Sequence, residues 1–129
     1  MISSSLKAID LFCGSGGMSC GLQMGGAEVI AGIDMEAKYL ATFTHNFPLA
    51  KSIQADISEL SPLELMKKLN LRKGELDFLI GGPPCQGFSK TFLEKIECSR
   101  IHAISLSKHF SVIAKLFNHD LSWWKTSQR

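Results

Sequence analysis

The sequence predicts an α/β fold built on a parallel sheet, and three observations support this prediction. Short apolar runs that resemble strands alternate with segments of helical periodicity. A glycine-rich stretch, CGSGGMSCG, directly follows the first of these runs. The last run ends in GGPPCQGFS, and a strand's carboxyl end is where open α/β sheets hold their ligands.

The first half of the chain contains three predicted strands and two predicted helices. AIDLF is the first strand, a helix through GLQMG follows the glycine-rich stretch, and EVIAGID is the second strand. Residues 36–46 are predicted as a helix that Pro48 ends, and SIQAD is the third strand. The helical spacing is carried by Tyr39, Leu40, Phe43 and Phe47.

The third helix has a clear sequence signal at its start. Ser61 suits the N-cap, Pro62 the first helical position, and Glu64 the position that completes a capping box. Gly74 is the predicted stop. The predicted apolar face consists of Leu63, Met66 and Leu69. DFLIGG follows as a fourth strand, and its apolar composition predicts burial on both faces.

Composition limits the classes of protein to be considered. With 129 residues, of which 45% are hydrophobic, the chain has the size of one modest domain. No apolar run approaches the roughly 18 residues that span a bilayer, and the start lacks the features of a secretory signal, so we expect a cytoplasmic protein without a membrane partner. The spacing of the four cysteines fits neither a zinc site nor a disulfide framework, so no metal is expected.

The glycine-rich stretch predicts a ligand site at the end of the first strand. Gly14, Gly16 and Gly17 would let backbone approach a ligand closely, but the dinucleotide fingerprint fails by one residue. Asp34 ends the second strand at a distance suited to ribose hydroxyls, and Asp56 ends the third. The pattern favours a nucleoside-containing cofactor without identifying it. The alternative is that both acids are helix N-caps.

Cys85 is the candidate nucleophile. Pro83 and Pro84 fix two φ angles before it, so the thiol is held with little loss of entropy on folding. A working cysteine also needs a cation or a helix N-terminus that favours the thiolate. The other three cysteines, Cys13, Cys20 and Cys98, are interpreted as ordinary buried residues.

Four segments together resemble the DNA (cytosine-5) methyltransferase family. They are AIDLFCGSGG, GIDMEAKYLATFTHNF, ADIS and GGPPCQGFS, in the family's order and spacing over residues 7–89. The resemblance implies an incomplete doubly wound sheet of the Rossmann-like type and S-adenosylmethionine as cofactor. It also implies that Cys85 adds to C6 of a cytosine flipped out of double-stranded DNA, because a stacked base cannot be reached.

The resemblance also implies roles for individual residues. Those implied to hold the methionine part of the cofactor are Phe12, Gly14, Gly16 and Gly17. Asp34 would bind the ribose, Met35 and Ile57 would flank the adenine, and Asp56 would accept from its amino group. Met35 stands where the family often has an aromatic residue. The residues implied to contact substrate are Pro84 and Gln86, in the cytosine pocket, and Ser89, at a phosphate.

The resemblance divides the chain at about residue 90. Residues 1–90 correspond to the amino-terminal part of the catalytic domain, whereas residues 91–129 show no further family motif as translated. The charge balance changes there too: residues 1–89 carry seven Lys/Arg and nine Asp/Glu, and residues 90–129 carry seven and three. When the possible codons of SWWKTSQ are regrouped so that each codon starts one nucleotide earlier, they encode Val-Glu. The same regrouping of IHAISLS allows Asp-Pro-Arg-Asn. Both are segments that the family contains after the catalytic motif. We therefore expect the tail to be out-of-frame translation and this truncated chain to be inactive alone.

Three other functions stay open from the sequence. The chain could be one half of a split methyltransferase, with a second chain supplying the missing part. It could instead be a non-catalytic module that binds S-adenosylmethionine. The third possibility is a nicotinamide-binding domain, but it leaves the proline-cysteine segment without a purpose.

Overall fold

Four parallel strands form one sheet in the computed structural model of the chain, which describes residues 5–82 and residue 113. The strands are β1 (Leu6–Leu11), β2 (Ala27–Asp34), β3 (Lys51–Gln54) and β4 (Phe78–Gly81). The helices are α1 (Gly17–Met24), α2 (Ala37–Asn46) and α3 (Pro62–Leu69). The strand order is β3-β2-β1-β4, so the predicted α/β class and its doubly wound parallel sheet are confirmed.

The two faces of the sheet carry separate hydrophobic clusters. One cluster, on the face that packs with α3, includes Ile9, Leu11, Ala31, Ile33, Ile53, Ile57, Leu65, Leu71 and Leu76. The other consists of Cys13, Val29, Leu40, Phe43 and Phe47. A register shift between Ala8 and Ile9 leaves Ile30 of β2 unpaired with β1. This shift is a β-bulge, so the consecutive residues Ile30 and Ala31 both pack with the cluster on the α3 face, whereas Val29 packs in the other cluster.

The start of α3 is as predicted, but its end and its buried face differ. Ser61 is the N-cap, and its Oγ accepts from the backbone N–H of Glu64 at 3.4 Å. The helix ends at Asn70, not Gly74, because Asn70 adopts a left-handed φ of 54° and the Leu71 N–H reaches back to the Met66 carbonyl at 2.9 Å.

The burial predictions for α3 and for the fourth strand are wrong. Leu63 is 60% exposed and Leu65 is 1% exposed, because the cluster meets the adjoining face of α3. The fourth strand is not buried on both faces: within the described residues β4 pairs with β1 alone, and Phe78 is 38% exposed. An edge position leaves apolar strand residues in contact with solvent.

Candidate functional site

The candidate site lies at the carboxyl edge of the sheet, between β1 and β4. The strand order reverses direction at this point, because β2 and β3 extend from one side of β1 and β4 lies on the other. Leu11 at the end of β1 pairs with Gly81 at the end of β4. Ligands of open α/β sheets bind in the crevice at such a switch point.

A tight turn, which we call the glycine turn (residues 12–17), connects β1 to α1. The Cys13 N–H donates to the Ile33 carbonyl at 3.0 Å, and the Gly16 N–H donates to the Cys13 carbonyl at 2.8 Å. Gly14 and Gly16 have φ angles of 53° and 95°, which lie in the region that glycine adopts without steric cost. The turn therefore reverses the chain within a few residues of the sheet edge.

Phe12 begins the turn in a strained conformation. Its φ is 64°, an unusual value for an aromatic residue, and its side chain packs against the cluster beneath the sheet. Such conformations cost on the order of 1–3 kcal/mol and concentrate at functional sites. The predicted role of Phe12 at the methionine part of the cofactor stays a prediction, and the strain is consistent with a position fixed for function.

The turn has room for a ligand close to its backbone. Among the described residues, and leaving aside the adjoining backbone, no atom lies within 4 Å of the position where a Cβ would stand on Gly14 or on Gly17. Gly17 is the first residue of α1, whose amino-terminal N–H groups favour an anionic group such as a carboxylate. The open space and the electropositive helix end fit the amino-acid part of S-adenosylmethionine.

Asp34 links the end of β2 to the glycine turn. Its Oδ2 accepts from the Gly14 N–H at 2.8 Å, and its Oδ1 accepts from the Glu36 N–H at 2.9 Å. The N-cap of α2 is Glu36, so the alternative that Asp34 caps this helix is wrong. An ionised carboxylate has about four acceptor positions, and two remain for hydroxyl groups. Ribose binding by Asp34 stays a prediction.

The ends of β2 and β3 meet beside Asp34. The Ala55 N–H donates to the Asp34 carbonyl at 3.1 Å, and Met35 is 57% exposed at this edge. Asp56 Oδ1 accepts from the Ser58 N–H at 2.8 Å and from its hydroxyl at 2.6 Å. Because α3 is capped by Ser61, Asp56 is not a helix N-cap.

Ile57 is 2% exposed and belongs to the cluster beneath the sheet. The structure thus brings the predicted ribose and adenine residues to one edge, with Met35 open to the exterior and the side chain of Ile57 turned to the core. The adenine contacts predicted for both residues stay predictions.

A buried polar pair beneath the glycine turn was not predicted from the sequence. Asp10 is 1% exposed, and its Oδ2 accepts from the hydroxyl of Ser19, which is 0% exposed, at 2.7 Å. The other oxygen, Oδ1, has no hydrogen-bond partner in the described part of the chain. Burial raises the pKa of Asp10 above its ordinary value of 3.8, and the charge of Asp34 adds to this effect. The pair joins β1 to the first turn of α1.

The raised pKa of Asp10 predicts an unusual pH dependence of stability. Between pH 3.8 and the higher pKa of the folded state, the native chain holds more protons at Asp10 than the unfolded chain. The contribution of Asp10 to stability therefore falls as pH rises through this window. We expect Asp10→Asn to remove that decline. Urea titrations give the difference in the free energy of unfolding, variant minus unaltered chain, and this difference should be larger at pH 7 than at pH 4.

The exposed carboxylate of Glu59 supplies the matched control for this measurement. The corresponding difference for Glu59→Gln should change little between the two pH values. A difference for Asp10→Asn that shrinks from pH 4 to pH 7 would contradict the interpretation of Asp10 as a carboxyl whose ionisation is opposed by burial.

The two described cysteines have different environments. Cys13 is buried, and burial together with the charges of Asp10 and Asp34 raises the pKa of its thiol to about 12. A thiol with that pKa is not a nucleophile at neutral pH, as expected for an ordinary buried cysteine. Cys20 is exposed on α1, so its predicted burial is wrong. The remaining cysteines, Cys85 and Cys98, lie outside the described residues.

Gly81 brings the end of β4 into close contact with β1. A Cβ on Gly81 would stand 2.3 Å from the carbonyl oxygen of Leu11, so this approach requires glycine. A Cβ on Gly82 would stand 4.0 Å from the sulfur of Met18 in α1. The chain thus leaves β4 beside the helix that follows the glycine turn. The predicted substrate residues Pro84, Gln86 and Ser89 lie outside the described residues, and their roles stay predictions.

None of the helices in the described part of the chain has the length and apolar character needed to cross a membrane.

The family model for C-5 cytosine-specific DNA methylases matches residues 6–97. The chain is 36% identical over 130 residues to the type II methyltransferase M1.HphI of Haemophilus parahaemolyticus, covering 90% of this chain and 34% of that protein. It is 39% identical over 84 residues to M.AgeI of Thalassovita gelatinovora, covering 65% of this chain and 20% of that protein. The chain therefore spans about a third or less of the length of these two relatives.

Solved structures show the same architecture. The fold is similar to a structure described as a DNA modification methyltransferase encoded within a prophage (E. coli), with a TM-score of 0.73 and 30% identity over 89% of this chain and 30% of that one. A structure of Spodoptera frugiperda DNMT2 has a TM-score of 0.55 and 24% identity, with 88% of this chain and 42% of that one covered, which supports the fold alone.

Proposed function

Because the chain belongs to the C-5 cytosine-specific DNA methylase family, we propose that it is the amino-terminal, cofactor-binding part of a DNA (cytosine-5) methyltransferase. The proposed reaction transfers a methyl group from S-adenosylmethionine, the cofactor of this family, to C5 of cytosine in DNA. The proposed substrate is double-stranded DNA from which the target cytosine is flipped. The matched relatives come from bacteria, whose DNA lies in the cytoplasm, so we expect the enzyme to act there.

The observation that carries the proposal is the pairing of Leu11 with Gly81. Leu11 leads into the glycine turn, and Gly81 leads into the segment that contains Cys85. Since Gly82 also approaches Met18 of α1, the chain enters that segment beside the proposed cofactor site. A methyl donor and a nucleophile must reach the same substrate ring, and the pairing of these two strand ends supports that arrangement.

The described residues supply binding and orientation. The glycine turn and α1 would hold the methionine part of the cofactor, and Asp34 would hold the ribose while it fixes the turn through Gly14. Met35 and Ile57 would contact the adenine, and Asp56 its amino group. When bound, S-adenosylmethionine supplies an electrophilic methyl group.

Cys85 is the proposed nucleophile. Its thiolate sulfur would form a bond to C6 of cytosine, and the displaced electron pair of the C5–C6 double bond would make C5 nucleophilic. C5 would then form a bond to the methyl group, whose bond to the donor's sulfonium sulfur breaks to leave a thioether. Loss of the C5 proton and release of the Cys85 thiolate would restore the C5–C6 double bond. Covalent addition divides one difficult substitution into two easier steps. Pro84 and Gln86 would shape the cytosine pocket, and Ser89 would contact a phosphate.

We further propose that residues 91–129 are out-of-frame translation and that the chain alone transfers no methyl group. The family glutamate that protonates cytosine N3 has no counterpart as translated, and loss of such acid catalysis costs about 10²–10⁴ in rate. The two alternatives are a split enzyme completed by a second chain and a module that only binds the cofactor. An intact neighbouring frame encoding the missing part would favour the split enzyme.

The test compares the chain with the product of a gene in which one nucleotide is inserted after the codon for Ser89 and the downstream bases are kept. We expect the restored product to form 5-methylcytosine in DNA and the chain alone to form none, as measured by mass spectrometry of digested DNA. We expect calorimetry to give weak binding of S-adenosylmethionine by the chain alone.

Tight binding by the chain alone, without methyl transfer by the restored product, would support the module instead. A downstream frame without further methyltransferase motifs would overturn the out-of-frame proposal.

A further inference from the structure

We propose that the carboxyl end of α2 positions the second half of the glycine turn through Asn46 and Phe47, and thereby sets the affinity for the cofactor. The part concerning affinity rests on the proposed function. Both residues are positioning residues in this proposal, because they contact the turn and not the open side where a ligand would lie.

The two halves of the glycine turn are held by different elements. The first half is bonded to β2: the Cys13 N–H donates to the Ile33 carbonyl at 3.0 Å, and the Gly14 N–H donates to Asp34 at 2.8 Å. The second half contacts α2, because Asn46 Nδ2 donates to the Ser15 carbonyl at 3.1 Å. The amide of Asn46 thus bonds outside its own helix, to a residue 31 positions earlier.

Phe47 packs against the same half of the turn. A Cβ on Gly16 would stand 2.3 Å from Cε2 of Phe47, so the ring lies directly against the glycine backbone. Phe47 stacks on Phe43 with ring centroids 4.8 Å apart, and Phe43 in turn packs against Gly32 of β2. The stacked rings therefore connect the middle of β2 to Gly16, and both glycines leave space that the rings occupy.

Displacement of Gly16 would disturb both the turn and the helix that follows. The Gly16 N–H donates to the Cys13 carbonyl at 2.8 Å, and the Gly16 carbonyl accepts from the Cys20 N–H at 2.8 Å, in the first turn of α1. Asn46 and Phe47 hold Gly16 at the junction of these two bonds. The position of the α1 amino terminus relative to the open space at Gly14 therefore depends on α2.

The principal test uses Asn46→Ala and Asn46→Asp in the full chain. Asn46 is exposed at the end of α2, so its replacement should leave the fold intact. Asp has nearly the shape of Asn but donates no hydrogen bond when ionised, so Asn46→Asp removes the hydrogen bond to Ser15 and keeps the size of the side chain. For both variants we expect the dissociation constant of S-adenosylmethionine in calorimetry to rise about three- to tenfold, the usual range for one hydrogen bond.

Amide hydrogen exchange measured by NMR without cofactor supplies an independent readout. In both Asn46 variants the Gly16 amide should exchange faster by a similar factor. The Cys13 and Gly14 amides should change little, because their acceptors lie on β2. A merely structural role of Asn46 in α2 would not produce this difference within one turn.

The control and a second variant complete the design. His45→Ala changes an exposed neighbour of Asn46 in the last turn of α2 and should alter neither readout. Phe47→Leu should accelerate exchange at Gly16 in the same direction as the Asn46 variants.

Unchanged exchange at Gly16 in both Asn46 variants would overturn the positioning proposal. Faster exchange with unchanged affinity would overturn the link between the turn and the cofactor. If the unaltered chain does not bind S-adenosylmethionine at all, the exchange rate of the Gly16 amide still tests whether Asn46 positions the turn. The absence of binding would then contradict the proposed function.

Discussion

Replacement of Cys85 by serine should abolish methyl transfer by the restored-frame enzyme while its binding of S-adenosylmethionine stays unchanged. A serine hydroxyl is far less acidic than a thiol, so almost none of it is ionised at neutral pH and addition to C6 fails. Removal of a covalent nucleophile costs large factors in other enzymes, and we expect a loss on the order of 10³-fold or more. The measurement is the rate of 5-methylcytosine formation at saturating DNA and cofactor.

Cys20→Ser is the matched control for this experiment. Cys20 is the exposed cysteine of α1 among the described residues, and we assign it no part in binding or transfer. Its replacement should leave the rate unchanged. Substantial transfer by the Cys85→Ser enzyme would show that the reaction does not pass through a covalent bond to Cys85, even if the cofactor site proved correct.

Gly81→Ala should destabilise the chain by about 1–3 kcal/mol, the range expected when an atom is forced into a close contact. The added Cβ would stand 2.3 Å from the carbonyl oxygen of Leu11 and 3.0 Å from its Cβ. The contact with the oxygen is to backbone, which cannot rotate away as a side chain could. β4 would have to move away from β1, and its movement would carry the entry to the Cys85 segment away from the glycine turn. Urea unfolding gives the change in free energy.

Gly21→Ala tests the same substitution where there is space for the added carbon. In the described part of the chain, no atom outside the backbone of α1 lies within 4 Å of a Cβ at Gly21, so alanine at this helical position should stabilise the helix by up to about 1 kcal/mol. The two variants should therefore change the free energy of unfolding in opposite directions. A Gly81→Ala chain as stable as the unaltered one would show that β4 is not held as closely against β1 as the register indicates.

Local signals in the sequence were sufficient for most of the fold. Ser61 and Glu64 predicted the start of α3 correctly, because an N-cap involves residues three positions apart. The predicted end of α3 was wrong because both Asn70 and Gly74 adopt a positive φ, and the bonds that close the helix, to the carbonyls of Lys67 and Met66, form at Asn70 and Leu71. The exposure of Leu63 was missed because helical spacing does not tell which of two adjoining faces meets a sheet.

The position of the candidate site was predicted from the sequence, but the hydrogen bonds that hold its residues in place were not. Asp34 and Asp56 were predicted at the ends of strands, and the carboxyl ends of parallel strands lie together at one edge of a sheet. The bond from Gly14 to Asp34 and the pairing of Asp10 with Ser19 were not predicted. A serine nine residues after a strand-end acid carries little information until α1 is placed against β1.

The sequence by itself determined the parallel α/β class, the glycine turn after β1, the acids at the end of β2 and shortly after β3, and the resemblance to cytosine-5 methyltransferases. These features depend on neighbours along the chain or on short motifs. Only the tertiary structure decided that Phe43 and Phe47 fill the space above Gly32 and Gly16, and that Gly81 lies against Leu11. Such contacts join residues distant in sequence, and their geometry depends on how helices and strands pack after each has formed.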